Sequence, residues 1–139
     1  MIKFINPTNS KPLQIFKAKY DEALHAKQPN IEAMTISSFN KTLNEVDSRY
    51  VNLKFIMNEE FIFFSNYNSP KALSFKSHNQ IAVVFYWSSI NAQIRMKAKI
   101  KKTSNEYNRE YFLTRSEKKN ALAISSNQSK PIESYSQVI

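Results

Sequence analysis

The sequence predicts a mainly β domain with flanking helices, in which the strands curl into a small barrel. Five segments between residues 30 and 102 have the alternation, or the β-branched and aromatic content, of strands. Because these segments follow one another closely, they favour an antiparallel sheet with its helices gathered at the ends. Closure into a barrel removes the exposed edges that so many apolar strands would otherwise leave.

The composition is that of one folded domain. The chain has 139 residues, of which 42% are hydrophobic and 13% aromatic, enough apolar surface for a core. We expect one domain over residues 1–139, with an N-terminal helix in 1–29, the barrel and its helices in 30–126 and a tail in 127–139. No apolar stretch approaches the length that crosses a bilayer, and the first residues lack a secretory signal. We therefore expect a cytoplasmic protein without a membrane partner.

The first half of the chain predicts a helix and then a hairpin. From Lys11 to Gln28, apolar residues recur at three- and four-residue spacing, which indicates an amphipathic helix. Alternation over Asn30–Phe39 predicts a strand. Tyr50–Met57 and Phe61–Ser65 predict two paired strands, joined at the polar turn Glu59-Glu60. Alternation along the first of these puts three apolar residues on one face: Val51, Leu53 and Phe55.

The second half predicts further helices around two strands. Ser69 and Pro70 indicate the start of a helix that runs to about residue 78. Ile81–Trp87 and Asn91–Lys102 predict strands, and the second carries a basic solvent-facing row of Lys97, Lys99 and Lys101. A capping box at 103–106 predicts a helix over 104–115. Ser116 predicts a short helix that continues through Ala123.

Net charge and missing residue types narrow the function. Lys and Arg outnumber Asp and Glu by 20 to 11, and the formal charge of +9 favours anionic partners, with a solvated basic surface as the alternative. The absence of glycine excludes P-loops and glycine-rich dinucleotide motifs, so side chains and helix N-termini would have to hold any phosphate. Without cysteine, and with two isolated histidines, the sequence predicts no metal site.

Two basic segments are candidates for binding phosphate. Arg49 begins a predicted strand, and Lys54 follows on the opposite face if the pairing is regular. Arg offers a planar fork for phosphate and Lys a compact charge. Lys71 lies in the first turn of the helix that Ser69 caps, which is unfavourable for the helix dipole unless an anion lies between them. Solvent-facing strand charges and an ordinary capped helix are the alternatives.

Three polar side chains further along suit a heteroaromatic, phosphorylated ligand. The amide of Gln93 can both donate and accept, as recognition of a heterocycle edge requires. Tyr111 and Arg115 are four residues apart and share one helical face, where a phenol and a guanidinium can clamp a phosphorylated ring. An ordinary polar strand residue, and a partly buried Tyr beside a surface Arg, are the alternatives.

In this order, the segments resemble the pyridoxamine 5′-phosphate oxidase family, whose fold is the FMN-binding split β-barrel. The resemblance covers about residues 28–139. Its motifs are Ser48–Lys54, Phe61–Lys71, Ile81–Trp87, Ala92–Arg95, Tyr111–Arg115 and Ser126–Ile132.

The resemblance implies a homodimer that holds FMN at the subunit interface and oxidises pyridoxamine or pyridoxine 5′-phosphate to pyridoxal 5′-phosphate, in vitamin B6 metabolism. By position, it implies FMN contacts from Arg49, Lys54, Phe64, Ser65, Lys71, Gln93, Gln128 and Ser129, with Arg49 and Lys71 at the phosphate. It implies substrate contacts from Lys54, Tyr111, Arg115 and Lys119. In such a flavoprotein oxidoreductase the flavin carries the redox step, and the protein supplies placement and electrostatics.

Several positions depart from the family pattern. Pro70 stands where the family has an Arg, Lys119 where a Ser holds substrate phosphate, and Leu122 and Ile124 where it has Gly and Trp. The family's C-terminal Arg-x-His segment would lie beyond Ile139, so we expect a fragment or a short relative with changed activity.

Two other functions stay open. One is an FMN-binding protein of the same fold with another redox substrate or no catalysis. The other, more distant, is a basic nucleic-acid-binding β-barrel. We expect no nucleic-acid partner, because most aromatic residues lie in core-like strand patterns.

Overall fold

The computed structural model describes residues 1–65, 75–102 and 120–126. These ranges contain one long helix, α1 (Lys11–His25), and a helical segment at 75–77. They also contain seven strands: β1 (Lys3–Ile5), β2 (Ala33–Asn40), β3 (Glu45–Met57), β4 (Glu60–Ser65), β5 (Gln80–Trp87), β6 (Ala92–Lys102) and β7 (Asn120–Ser126). A single 3-10 turn, Ser88–Ile90, joins β5 to β6.

The strands form one sheet that closes on itself. Their order is β1-β3-β2-β5-β6-β7-β4. In addition β3 pairs with β4, and this pairing closes the six strands from β3 to β4 into a barrel. These neighbours pair antiparallel, whereas β1 adds to β3 in parallel. The predicted mainly β barrel with antiparallel strands is therefore confirmed.

Helix α1 supplies an aromatic side chain to the barrel core. Phe16 is fully buried, and its ring lies 5.1 Å from that of Phe61, 5.3 Å from that of Phe85 and 5.6 Å from that of Trp87. The Trp87 indole N–H donates to the carbonyl oxygen of Ile31 at 3.0 Å, so the buried ring has its polar atom satisfied. The helix thus packs against β4 and β5, and Trp87 of β5 holds the segment that leads into β2.

A β-bulge interrupts the hairpin of β3 and β4 at Lys54. The register runs from Leu53 opposite Phe63 to Phe55 opposite Ile62, so one extra residue lies on β3. Leu53 belongs to the main core, but Phe55 packs with Ile62 in a second apolar cluster. The prediction that Phe55 shares a face with Leu53 is therefore wrong, because the bulge reverses the alternation.

Asparagine takes the turn positions that glycine fills in most proteins. Six of the described residues have positive φ, and all of these but Lys27 are asparagines: Asn6, Asn30, Asn44, Asn58 and Asn91. Asn is the non-glycine residue that best tolerates this left-handed region. Asn58, with φ of 56°, lies in the turn between β3 and β4, which is how a glycine-free chain makes this hairpin.

Most predicted elements agree with the structure. The first helix, both hairpin strands, the strand preceding them and the strands β5 and β6 are confirmed, although β3 begins earlier than predicted, at Glu45. The predicted helix through Ala123 is wrong, since residues 120–126 form β7 between β6 and β4. The helix start at Ser69, the helix over 104–115 and the tail lie outside the described residues. Among the described helices, none is long and apolar enough to cross a membrane.

Candidate functional site

Arg49 lies on the core side of the sheet. It is opposite Ile36 in the register of β2 and β3, and Ile36 is fully buried. Its guanidinium donates to the Ser38 hydroxyl at 2.8 Å and more weakly to the Ile36 carbonyl at 3.4 Å, and it lies 5.9 Å from the centre of the Phe75 ring. The cation is thus held by neutral groups from β2 and from the helical segment at 75–77.

The surroundings of Arg49 leave its charge available. Burial lowers the pKa of the guanidinium, and the charge of Asp47 acts in the opposite direction. Arginine nevertheless stays protonated. Within the part of the chain that the structure describes, no carboxylate lies within ion-pair distance of Arg49. A partly buried cation held only by a hydroxyl, a carbonyl and a ring is well suited to accept an anionic ligand.

Lys54 is the extra residue of the bulge, so strand alternation does not assign its side chain to either face of the sheet. The ammonium donates to a carboxylate oxygen of Glu32 at 3.0 Å. The predicted placement of Lys54 opposite to Arg49 requires regular pairing, which the bulge interrupts at Lys54.

Phe64 and Ser65 also point in opposite directions from the end of β4. Phe64 packs on the outer face, where its ring makes a T-shaped contact with Phe55 at 6.2 Å. Ser65 is 3% exposed, one of the buried polar side chains of the described residues. A ligand on one face of the sheet can therefore contact the side chain of only one of the two.

Gln93 lies on the outer face of β6. It is opposite Tyr86 in register and is partly buried, whereas Tyr86 is 61% exposed. Its amide is thus placed beside an exposed aromatic ring, which is the arrangement expected at the edge of a heteroaromatic ligand.

An open groove of about 420 Å³ runs along the same outer face. Its lining comes from the segment before β2 and from three strands: Gln28, Pro29, Asn30, Ala33, Thr35, Tyr50, Val84 and Tyr86. Gln93 borders it through its pairing with Tyr86, and Glu32, the partner of Lys54, directly precedes Ala33. Gln93 therefore borders the groove, Arg49 lies on the other side of the sheet, and Lys54 and Glu32 are not among the residues that line the groove.

The groove is a feature that the sequence does not reveal. Tyr50, Thr35 and Val84 are far apart in the chain and meet because β2 pairs with both β3 and β5. An available signal is the pair of tyrosines at outward strand positions, Tyr50 and Tyr86, since large aromatic residues on a wet face indicate a contact surface.

The remaining candidates are outside the described residues and stay predictions: Lys71, Tyr111, Arg115, Lys119, Gln128 and Ser129. Among the positions that depart from the family pattern, Ile124 is described. It is fully buried on β7 opposite Phe61 and Ile100, so at this position the chain has a core residue.

A family model described as pyridoxamine 5′-phosphate oxidase matches residues 17–139. The chain belongs to the pyridoxamine 5′-phosphate oxidase family. A pyridoxine/pyridoxamine 5′-phosphate oxidase of Leptospira interrogans is 30% identical to this family member over 128 residues, which are 92% of this chain and 59% of the relative. A relative of the same name from Legionella pneumophila is 36% identical over 87% of this chain and 56% of its own. The chain thus spans about three fifths of the length of these relatives.

Solved structures show that this family member has the FMN-binding split-barrel fold. PhzG of Burkholderia lata, in complex with tetrahydrophenazine-1-carboxylic acid, superposes with a TM-score of 0.71 at 19% identity, over 77% of this chain and 52% of PhzG. A pyridoxamine 5′-phosphate oxidase-related, FMN-binding protein of Nostoc punctiforme superposes with a TM-score of 0.63 at 9% identity, over 86% of this chain and 87% of that one. The fold class predicted from the sequence is confirmed.

Proposed function

We propose that this chain binds FMN and takes part in the oxidation of pyridoxamine or pyridoxine 5′-phosphate to pyridoxal 5′-phosphate. The observation that carries the proposal is Arg49: a partly buried guanidinium on a family motif, bonded to Ser38 and lacking a carboxylate partner among the described residues. Membership of the family and the names of the curated relatives support the substrate class.

The described donor set fits the chemistry of FMN. The cofactor carries an anionic phosphate and a heteroaromatic ring with polar edges, which call for cations, amides and a flat apolar contact. Arg49 offers a charge for an anion on the core side of the sheet, Lys54 offers an ammonium at the bulge, and Gln93 and Phe64 offer an amide and a ring on the outer face. When bound, the flavin would accept the two electrons removed from the substrate.

We assign the remaining contacts from the family motif. Lys71, Gln128 and Ser129 would complete the FMN site, and Tyr111, Arg115 and Lys119 would hold the phosphorylated substrate. Lys54 would serve both ligands. Each side chain is a cation, amide or hydroxyl, the groups that an anionic heteroaromatic ligand requires.

We further propose that two copies of the chain form a homodimer with FMN between them. The outer face that carries the groove exposes large apolar side chains, with Val46 69%, Tyr50 76% and Tyr86 61% accessible. Exposed large apolar side chains on one face favour burial against a partner. A second copy on this face would close the groove next to Gln93.

A related protein with another redox substrate is the second candidate. PhzG, which shares the fold, was solved with a tetrahydrophenazine carboxylic acid, so the fold accommodates ligands other than pyridoxine phosphates. Pro70, Leu122 and Ile124, which depart from the family pattern, favour this candidate.

Titration of the purified chain with FMN tests the proposal. We expect saturable quenching of flavin fluorescence near one FMN per chain, and then formation of pyridoxal 5′-phosphate from pyridoxamine 5′-phosphate with consumption of O₂. Bound FMN without turnover would favour the second candidate. Absence of saturable binding would refute both.

A further inference from the structure

Glu32 is anchored beside Lys54 by its backbone as well as by its side chain. The Leu53 N–H donates to the Glu32 carbonyl at 2.9 Å, and the next residue, Lys54, bonds to the Glu32 carboxylate at 3.0 Å. Ala33, which follows Glu32, is paired in register with Asn52. The carboxylate is thus placed by a strand pairing on one side and a main-chain hydrogen bond on the other, so its position relative to Lys54 is defined by the sheet.

The bulge and this carboxylate together determine where the Lys54 ammonium lies. A bulge redirects the side chain at which it occurs. A lysine would otherwise sample many rotamers, because its stem is long and its charge is strongly hydrated. Here the Lys54 side chain is 29% and the Glu32 side chain 19% exposed, so the pair is partly withdrawn from water.

The carboxylate is ionised over the physiological range. Burial would raise the pKa of Glu32, but hydrogen bonds from the chain's N-terminal ammonium and from Lys54 outweigh it and lower the pKa below its usual value. The Lys54 ammonium has three donors, and the hydrogen bond to Glu32 occupies one of them. Two donors remain for a ligand.

We infer that Glu32 is a positioning residue that fixes the Lys54 ammonium for FMN binding. This inference rests on the proposed function and names a residue outside the motifs that carry the family resemblance. Glu32 acts through Lys54. It orders the long lysine side chain before the ligand arrives, so that FMN binding does not have to offset the entropy lost on ordering it.

A double-mutant cycle on FMN affinity tests the inference. The dissociation constant is measured by flavin fluorescence for the wild type, Glu32→Ala, Lys54→Met and the double variant. We expect Glu32→Ala to weaken FMN binding about fivefold, the size expected from having to order one long side chain on binding. In the Lys54→Met background the same change should have less than about a twofold effect, because Lys54 is no longer there to position.

Two further variants keep the experiment decisive. Glu22→Ala removes an equivalent carboxylate from an exposed ion pair with Lys19 on α1 and should leave FMN affinity unchanged. If Glu32→Ala does not fold, Glu32→Gln replaces it in the cycle. The amide keeps a weaker acceptor, so the same sign and a smaller loss are expected.

The outcomes separate the inference from the proposed function. A wild-type chain that does not bind FMN overturns the proposed function, and the inference with it. If the wild type binds FMN, equal losses on removing Glu32 with and without Lys54 overturn the inference alone, since they indicate a general effect on the fold. Tighter binding in Glu32→Ala also overturns it, because the carboxylate would then act by repelling the ligand.

Discussion

At the scale of single residues, two cations five positions apart on β3 have different surroundings. Arg49 faces the core side and bonds to neutral groups, whereas Lys54 lies at the bulge and bonds to a carboxylate. Their types and spacing are readable from the sequence. Their partners are not, because Ser38 and Glu32 come from another segment and reach these positions only through the pairing of β2 with β3.

Replacement of Arg49 by alanine should weaken FMN binding about 10- to 100-fold. The change removes a charge-assisted contact worth about 1.5–3 kcal/mol, and about 1.4 kcal/mol corresponds to a factor of ten. Arg49→Lys should lose less, because it keeps the charge without the planar fork. Lys97→Ala, which removes the same charge from an exposed position on β6, is the control and should change affinity less than about twofold. Equal losses in Arg49→Ala and Lys97→Ala would indicate a non-specific charge effect.

At the scale of elements, the sequence predicts strands and helices best where a long periodic pattern exists. The alternation of β6 over Ala92–Lys102 appears in the structure with every second residue buried up to Ile100. β1 has three residues, too few for a periodic pattern, and it is a strand because it pairs with β3. β7 contains Asn, Ala and Ser, which have low strand propensity, so tertiary pairing with β4 and β6 decides its structure.

The bulge in β3 shows a second limit of sequence interpretation. Its extra residue, Lys54, has no glycine or proline next to it, and these are the residues that signal an irregular strand. Regular alternation therefore predicts Phe55 on the core face, one residue out of phase with the structure. The same irregularity gives Lys54 its position, so the local rule fails at a candidate functional residue.

Helix α1 should depend on Phe16 for its attachment to the barrel. The ring is fully buried against aromatic residues of β4 and β5, so Phe16→Ala leaves a cavity and should lower the free energy of unfolding by about 3–5 kcal/mol. Ile15→Ala, at a neighbouring position that is 40% exposed, is the matched control and should cost less than about 1 kcal/mol. Urea unfolding followed by circular dichroism measures both. A loss in Phe16→Ala no larger than in Ile15→Ala would contradict this packing.

At the scale of the whole molecule, the two faces of the barrel wall have different roles. The core face is filled by α1 and the inward strand residues. The outer face of β2, β3 and β5 instead exposes Tyr50 and Tyr86 around an open groove, with Gln93 at its border. A groove open on one side buries little of a ligand, whereas ligand sites commonly enclose most of it. A second chain on this face would supply the missing wall, which links dimerisation to FMN binding.

The double variant Tyr50→Glu/Tyr86→Glu should therefore lose dimerisation and FMN binding together. It places like charges on both copies of the exposed face, and such charges repel across a two-fold interface. We expect sedimentation velocity to show a dimer for the wild type and a monomer for the variant, with an unchanged circular dichroism spectrum. Leu24→Glu, on the outer side of α1 and 37% exposed, is the control and should remain dimeric with FMN affinity unchanged. A monomeric wild type that binds FMN, or a dimeric double variant, would show that this face does not couple dimerisation to FMN binding.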